Sequence, residues 1–73
     1  MARKSKPWAV ILSTPGGPIR TEHRSQPEAY RKVIAEREQA KDGITRVTKI
    51  RVEQWEPDGN RWAWYDDIDP KEN

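Results

Sequence analysis

Residues 45–65 read TRVTKIRVEQWEPDGNRWAWY and predict a β-hairpin. Two runs rich in β-branched and aromatic residues flank Pro57-Asp58-Gly59, which is typical of a tight turn. If these three residues form a type I turn with Gly59 in the left-handed conformation, Glu56 faces Asn60 across the hairpin. This register pairs Gln54 with Trp62 and Val52 with Trp64.

The predicted register divides the side chains of this hairpin between two faces, because successive strand residues point to opposite sides. One face holds the apolar residues Ile50, Val52, Trp62 and Trp64, and we expect it to cover a helix. The other face holds mainly charged and aromatic residues. These are Lys49, Arg51, Glu53, Trp55, Arg61, Ala63 and Tyr65.

A second hairpin is predicted near the start of the chain. The runs from Trp8 to Thr14 and from Ile19 to Arg24 are typical of strands, and Pro15-Gly16-Gly17-Pro18 between them is a strong turn signal. A four-residue loop places Thr14 opposite Ile19, Val10 opposite His23 and Leu12 opposite Thr21. One face then holds Trp8, Val10, Leu12, Ile19, Thr21 and His23, and the other holds Ala9, Ile11, Arg20, Glu22 and Arg24.

A helix is predicted between the two hairpins. Ser25, followed three residues later by Glu28, is a capping box, and Gly43 suits the left-handed residue that ends a helix. Apolar residues recur between these ends at three- and four-residue spacing, which is typical of an amphipathic helix. The stripe comprises Ala29, Tyr30, Val33, Ile34 and Ala40, with the aliphatic part of Arg37 in the gap. We expect it to pack on the apolar face of the later hairpin.

Together these elements predict an α+β fold in one small domain. Their order is ββαββ, and we expect a four-stranded, largely antiparallel sheet with one helix packed on one face. We place the domain at residues 7–68. Residues 1–6 are expected to form a disordered basic arm, and residues 69–73 a disordered acidic tail.

The composition of the 73-residue chain sets limits on its core and its surroundings. Hydrophobic residues make up 33% of the chain and charged residues 36%, so we expect the four tryptophans to supply much of the core. The absence of cysteine excludes disulfides and thiolate metal sites and fits a reducing, cytoplasmic setting. No apolar run is long enough for a membrane span or a secretory signal, so we expect no membrane partner.

Residues with the chemistry of a catalytic or metal site are few and scattered. His23 is the only histidine, and we expect it to be a partly buried residue of the sheet. The segment with Asp66, Asp67 and Asp69 resembles part of a calcium-binding loop, but it lacks the glycine and the bidentate glutamate that such a loop requires. The sequence therefore predicts no catalytic residue, no metal, no cofactor and no small-molecule substrate, and we expect the protein not to be an enzyme.

The predicted sheet face away from the helix is the strongest candidate for binding. It combines basic and aromatic residues, namely Arg20, Arg24, Lys49, Arg51, Trp55, Arg61 and Tyr65. One hypothesis is a protein-interaction module that binds a protein partner or itself, as a homodimer. The alternative is a nucleic-acid-binding accessory protein, since basic residues contact phosphates and aromatic rings stack on bases. The basic N-terminal arm would assist this second function.

Three segments carry a resemblance to other sequences. They are Trp8-Ala9-Val10, Gly17-Pro18-Ile19-Arg20-Thr21-Glu22 and Arg51-Val52-Glu53-Gln54-Trp55. Through these segments the chain resembles small uncharacterised proteins of high-GC actinobacteria and their phages. The resemblance implies no function and no site residue.

Overall fold

The computed structural model describes residues 4–70 and confirms the predicted α+β fold with the order ββαββ. The elements are β1 (Trp8–Thr14), β2 (Gly17–His23), α1 (Gln26–Lys41), β3 (Lys49–Glu56) and β4 (Arg61–Ile68). The strands form one antiparallel sheet in the order β2-β1-β3-β4. The helix lies on one face of this sheet, chiefly against β1 and β2.

Both ends of α1 are set by residues that the sequence singles out. The Ser25 hydroxyl accepts a hydrogen bond from the Glu28 amide at 3.4 Å and so satisfies a free donor of the first turn. The Glu28 carboxylate in turn accepts a hydrogen bond from the amide of Arg24 at 3.0 Å. In a standard capping box the donor is the amide of the N-cap residue, which here is Ser25. Gly43 follows the last turn with a φ of 74°, as predicted.

The hydrophobic core lies between α1 and the sheet and consists mainly of small aliphatic residues. Its members are Trp8, Val10, Leu12, Ala29, Val33, Val47, Ile50 and Val52, with Tyr30 and Ile68 packed against them. Of the four tryptophans, Trp8 alone belongs to this cluster. The prediction that tryptophans supply much of the core is therefore wrong for Trp55, Trp62 and Trp64.

The helix turns a slightly different side to the sheet than the spacing predicts. Val33 is 3% exposed, as expected, but Ile34 is 55% exposed. Successive helix residues are about 100° apart, so when Val33 points at the sheet Ile34 points along the surface. Glu36 is buried instead, and Lys32 lies 2.9 Å from its carboxylate. The buried stripe thus includes a charged residue that apolar spacing does not identify.

The first hairpin has a shorter loop than predicted. Thr14 pairs with Gly17 rather than with Ile19, which leaves a two-residue connection. Gly17 has a positive φ of 116°, and Pro18 is tolerated in β2 because this strand lies at the edge of the sheet. A shift of two residues leaves every side chain on its predicted face. Val10 now faces Thr21, and Leu12 faces Ile19.

The second hairpin has a longer loop than predicted. Glu56 pairs with Arg61, so four residues connect the strands. The amide of Asn60 donates to the carbonyl of Pro57 at 3.3 Å and closes the turn. Asn60, with a φ of 49°, also takes the left-handed conformation predicted for Gly59. Asparagine tolerates this conformation better than most residues that carry a Cβ.

The longer loop changes which side chains of β4 face the helix. A register shift of one residue moves the side chains of a strand to the opposite face. Trp62 therefore lies opposite Trp55, and Trp64 lies opposite Glu53, on the face away from the helix. This corrects the prediction that Trp62 and Trp64 pack against α1.

A bulge reverses the alternation again in the second half of β4. After the register shift Val52 pairs with Asp66, which leaves Tyr65 as the extra residue. Beyond the bulge, Asp66 and Ile68 face the helix side and Asp67 faces away. Ile68 thereby packs against the core.

Packing extends beyond the predicted ends of the domain. Pro70 is fully buried, past the predicted boundary at residue 68. At the other end, the Lys4 ammonium, before the predicted start at residue 7, lies 4.8 Å from the ring centroid of Trp55. The carbonyl of Pro7, the first residue of the predicted domain, accepts a hydrogen bond from the Trp55 amide at 2.7 Å and extends the pairing of β1 with β3. The predicted disorder of residues 1–3 and 71–73 lies outside the described residues.

The contrast between neighbouring helix residues tests the packing. Val33→Ala should lower the free energy of unfolding by about 1–3 kcal/mol, because it removes buried methyl groups and leaves a cavity. Ile34→Ala truncates an exposed side chain and should change that free energy by less than about 0.5 kcal/mol. Urea denaturation of both variants measures the two values. Equal losses would show that Ile34 is buried as well.

The loop between β3 and β4 offers a second test of the fold. Asn60→Val should destabilise the protein by about 1 kcal/mol or more, because a β-branched residue resists a positive φ. Gly59→Ala should cost much less, since Gly59 lies outside the left-handed region and a new Cβ meets only the flexible side chains of Arg61 and Glu56. Thermal unfolding midpoints compare the two variants. If Gly59→Ala lowers the midpoint more than Asn60→Val does, the result would favour the three-residue turn that the sequence predicts.

Candidate functional site

The sheet face away from α1, which we name the open face, has no described helix packed on it. It consists of the strand residues that alternate away from the helix. They are Ala9, Ile11, Ser13, Pro18, Arg20, Glu22, Lys49, Arg51, Glu53, Trp55, Trp62, Trp64 and Asp67. Charged and aromatic residues therefore dominate this surface.

The open face contains part of the predicted binding set. Arg20, Lys49, Arg51 and Trp55 lie on it, as predicted. Arg24 lies just past the end of β2, in the bend that precedes the helix. The strand pairing of the structure therefore brings four of the predicted side chains to one surface.

Arg61 and Tyr65 lie on the helix side, which corrects the prediction for both. The four-residue loop pairs Arg61 with Glu56, and the Arg61 guanidinium lies 3.3 Å from that carboxylate. The bulge turns Tyr65 toward the helix, where its ring packs edge-on against Trp8 with centroids 4.8 Å apart. The Tyr65 hydroxyl accepts a hydrogen bond from Gln26 at 2.9 Å. Tyr65 thus joins the helix to the sheet.

Arg20 reaches across the open face and contacts three strands. Its guanidinium lies 3.0 Å from Glu53, 3.7 Å from Glu22 and 4.5 Å from the ring centroid of Trp62. Because Arg20 is on β2 and Trp62 is on β4, this side chain passes over the two central strands. Ala9 lies between the two glutamates and is fully buried. Its small side chain leaves room for the crossing.

A second ionic cluster surrounds Asp67 at the β4 edge of the open face. The carboxylate lies 3.3 Å from Arg51 and 3.7 Å from Lys49, and it accepts a hydrogen bond from the indole N–H of Trp64. Desolvation raises the pKa of Asp67, but the hydrogen bonds from Trp64 and Arg51 and the charge of Lys49 outweigh it. The pKa is therefore held below its usual range. An ionised Asp67 orients the ring of Trp64.

Trp55 and Trp62 form an aromatic pair directly across β3 and β4, which we name the tryptophan corner. Their centroids are 5.4 Å apart and their planes are 74° apart. The Trp55 amide bonds to Pro7 on the opposite side, so the pair is a non-hydrogen-bonded one, in which side chains approach most closely. The ammonium of Lys4 lies over both rings, 4.8 Å from the centroid of Trp55 and 5.5 Å from that of Trp62.

Trp64 is the most exposed aromatic residue of the open face. It is 61% exposed, whereas Trp55 and Trp62 are half-buried. Trp62 and Trp64 are two residues apart on one strand, so their rings stand side by side at the edge of the sheet. Exposed apolar area of this kind, within a polar surround, is typical of binding surfaces.

His23 lies on the helix side of the sheet and has a hydrogen-bond partner there. The ring of His23 lies 2.8 Å from the Thr21 hydroxyl, and the residue is partly buried, as predicted. Burial lowers the pKa of His23; the charge of Glu28 opposes this effect, and Lys32 and Lys6 reinforce it.

Among residues 4–70, no three metal-binding side chains come together. In the same part of the chain, no helix has the length and hydropathy needed to cross a membrane.

Three cationic or aromatic residues of this surface are absent from the predicted binding set. Trp62 and Trp64 are predicted to face the helix, and Lys4 is predicted to lie in a disordered arm. Asn60 is the signal that favours the observed register, because a left-handed asparagine ends a four-residue loop built on a type I turn. No pattern in the sequence identifies the position of Lys4.

Comparison with known proteins assigns no family. No protein-family model, no curated protein and no solved structure matches this chain. The geometry of the open face is therefore the observation that bears on function.

A hydrogen bond between Tyr30 and Asp66 holds β4 against the helix behind the open face. The Tyr30 hydroxyl donates to the Asp66 carboxylate at 2.9 Å. Burial raises the pKa of Tyr30 to about 12, with further contributions from the hydrogen bond to Asp66 and from its negative charge. Asp66 follows the bulged Tyr65, so this bond stabilises the bulge that keeps Trp64 and Asp67 on the same face.

Loss of the Tyr30 proton should weaken the fold at high pH. Because the folded pKa is raised above the ordinary value of 10.0, the hydroxyl contributes stability that is complete below pH 10.0 and is lost as the pH rises to about 12. Tyr30→Phe should cost about 1 kcal/mol at neutral pH through the lost hydrogen bond. The difference in urea midpoint between wild type and Tyr30→Phe should then shrink across this pH window. A difference that does not depend on pH would contradict the bond to Asp66.

Proposed function

We propose that this protein is a cytoplasmic, non-catalytic module that binds another protein through its open face. The observation that carries the proposal is Trp64, which is 61% exposed beside the half-buried Trp62 and between two ionic clusters. Tryptophan and arginine are the residues that most often dominate the binding energy of protein interfaces. The cysteine-free composition fits the reducing conditions of the cytoplasm.

The surroundings of Trp64 suit a protein partner. Glu53, directly across the sheet from Trp64, is held by Arg20, and Asp67 is held by Arg51. These polar groups form a rim around the aromatic side chains, which is the usual arrangement of an apolar centre and a solvated edge. The hydrogen bond to Asp67 also orients the Trp64 ring before binding, so less side-chain entropy is lost in a complex.

The same geometry argues against nucleic acid as the main ligand. Arg20, Lys49 and Arg51 each contact a carboxylate, which repels an approaching phosphate. We therefore favour a protein partner, and binding to DNA or RNA becomes an outcome of the test.

Alanine substitution of Trp64 tests the proposal. Random peptides displayed on phage and selected on the wild-type chain serve as model ligands. Trp64→Ala should weaken the binding of selected peptides by about 2 kcal/mol, or roughly thirtyfold, because it removes the exposed aromatic anchor. Ile34→Ala is the matched control, since Ile34 is similarly exposed at 55% but lies on the helix. Fluorescence anisotropy measures the affinities, and the control should bind like wild type.

Two further measurements separate the candidate ligands. Sedimentation velocity up to millimolar concentration detects a second copy as the partner, in which case Trp64→Ala, and not Ile34→Ala, shifts dimer to monomer. Titration with single-stranded DNA and RNA detects nucleic-acid binding, which should fall steeply with salt. The proposal is wrong if no peptide is enriched and the chain stays monomeric, or if selected peptides bind Trp64→Ala as tightly as wild type.

A further inference from the structure

The tryptophan corner already holds a cation from the chain itself. The Lys4 ammonium is 4.8 Å and 5.5 Å from the two ring centroids, and both distances lie within the range of a cation–π contact. The rings of Trp55 and Trp62 stand 74° apart, so one cation meets two electron-rich ring faces. Proteins recognise quaternary ammonium and methylated lysine groups with aromatic side chains arranged around the cation in this way.

The attachment of the N-terminal segment explains why Lys4 lies at the corner. The carbonyl of Pro7 is bonded to the Trp55 amide at 2.7 Å, so the chain just after Lys4 is held beside the ring. Among residues 4–70, Lys4 contacts these two rings and forms no salt bridge. The aromatic faces are therefore the groups that attract its ammonium.

We propose that the tryptophan corner is a recognition site for a lysine-type ammonium group, primary or methylated, of the bound protein, and that Lys4 occupies it in the free chain. This inference rests on the proposed function, because the corner is part of the open face. Exchange of Lys4 for a partner's lysine leaves the local charge unchanged. The guanidinium of Arg20 beside Trp62 therefore repels the partner's ammonium no more than it repels the ammonium of Lys4.

Lys4 acts as a competitor of moderate strength. A cation–π contact at an exposed site is weak, so the corner is vacant for a substantial fraction of the time. The apparent affinity of the corner for an external ligand is proportional to the fraction of time that the corner is vacant. Lys4 therefore lowers this affinity about three- to sixfold. Removal of the Lys4 charge should raise the affinity by the same factor.

Small ammonium compounds test the site in the full chain. The probes are N-acetyl-trimethyllysine amide, N-acetyl-lysine amide and the uncharged N-acetyl-norleucine amide, and the readout is the indole N–H signals of the tryptophans by NMR. In Lys4→Gln, at least one charged probe should shift the signals of Trp55 and Trp62 saturably, about three- to sixfold more tightly than in wild type. The two charged probes show whether the corner prefers a primary or a methylated ammonium. The norleucine probe should produce no such shift.

Two variants provide a test and its control. Trp55→Leu should abolish binding of the charged probes, whereas Ile34→Ala changes an exposed helix residue outside the open face and should preserve it. Circular dichroism checks that both variants fold, and Trp55→Phe, which keeps a smaller aromatic face and should weaken binding, replaces Trp55→Leu if that variant unfolds. The inference is overturned if neither charged probe binds Lys4→Gln saturably, or if the norleucine probe binds equally well. Either result leaves the peptide test on Trp64 intact, so failure of the two proposals can be distinguished.

Discussion

The four-residue loop between β3 and β4 determines the composition of both faces of the sheet. Strand side chains alternate, so the number of loop residues decides whether Trp62 and Trp64 join the core or the opposite surface. With the observed loop, both tryptophans lie on the open face. The bulge at Tyr65 then reverses the alternation, which returns Ile68 to the core and places Asp67 beside Trp64. One turn and one extra residue therefore create the aromatic surface and its ionic rim together.

This arrangement divides stability and surface chemistry between the two faces. The core of small aliphatic residues with Trp8 carries the hydrophobic stabilisation. Hydrogen bonds made by Tyr30 and Tyr65 join α1 to β4. The ion pairs of the open face are largely solvated, and such pairs contribute little to the free energy of unfolding. Their main physical effect is positional, since Arg20 spans the sheet and Asp67 orients Trp64. The open face is thus ordered without being a major source of stability.

The sequence predicts the elements of the fold well because each has a local physical signal. Each signal determines structure within a few residues of its own position. The signals are the capping serine, the helix-ending Gly43 and the two turn sequences. Faces are harder to predict, because they depend on loop length. An error of two residues in the first loop leaves the faces unchanged, whereas an error of one in the second inverts them. The arm that places Lys4 over two rings has no periodic pattern, so its position depends on a tertiary contact that no local signal encodes.

The two proposed anchors of the open face constrain the shape of a partner. Trp62 of the corner and the exposed Trp64 are two residues apart on the edge strand, a separation of about 7 Å along the sheet. An extended segment repeats side chains on one side at the same interval, because its residues also alternate. A partner strand lying along β4 would therefore present an ammonium group to the corner and an apolar side chain to Trp64 from positions i and i+2. A helix places residues i and i+2 on different sides, so it would need another pair of positions to reach both anchors.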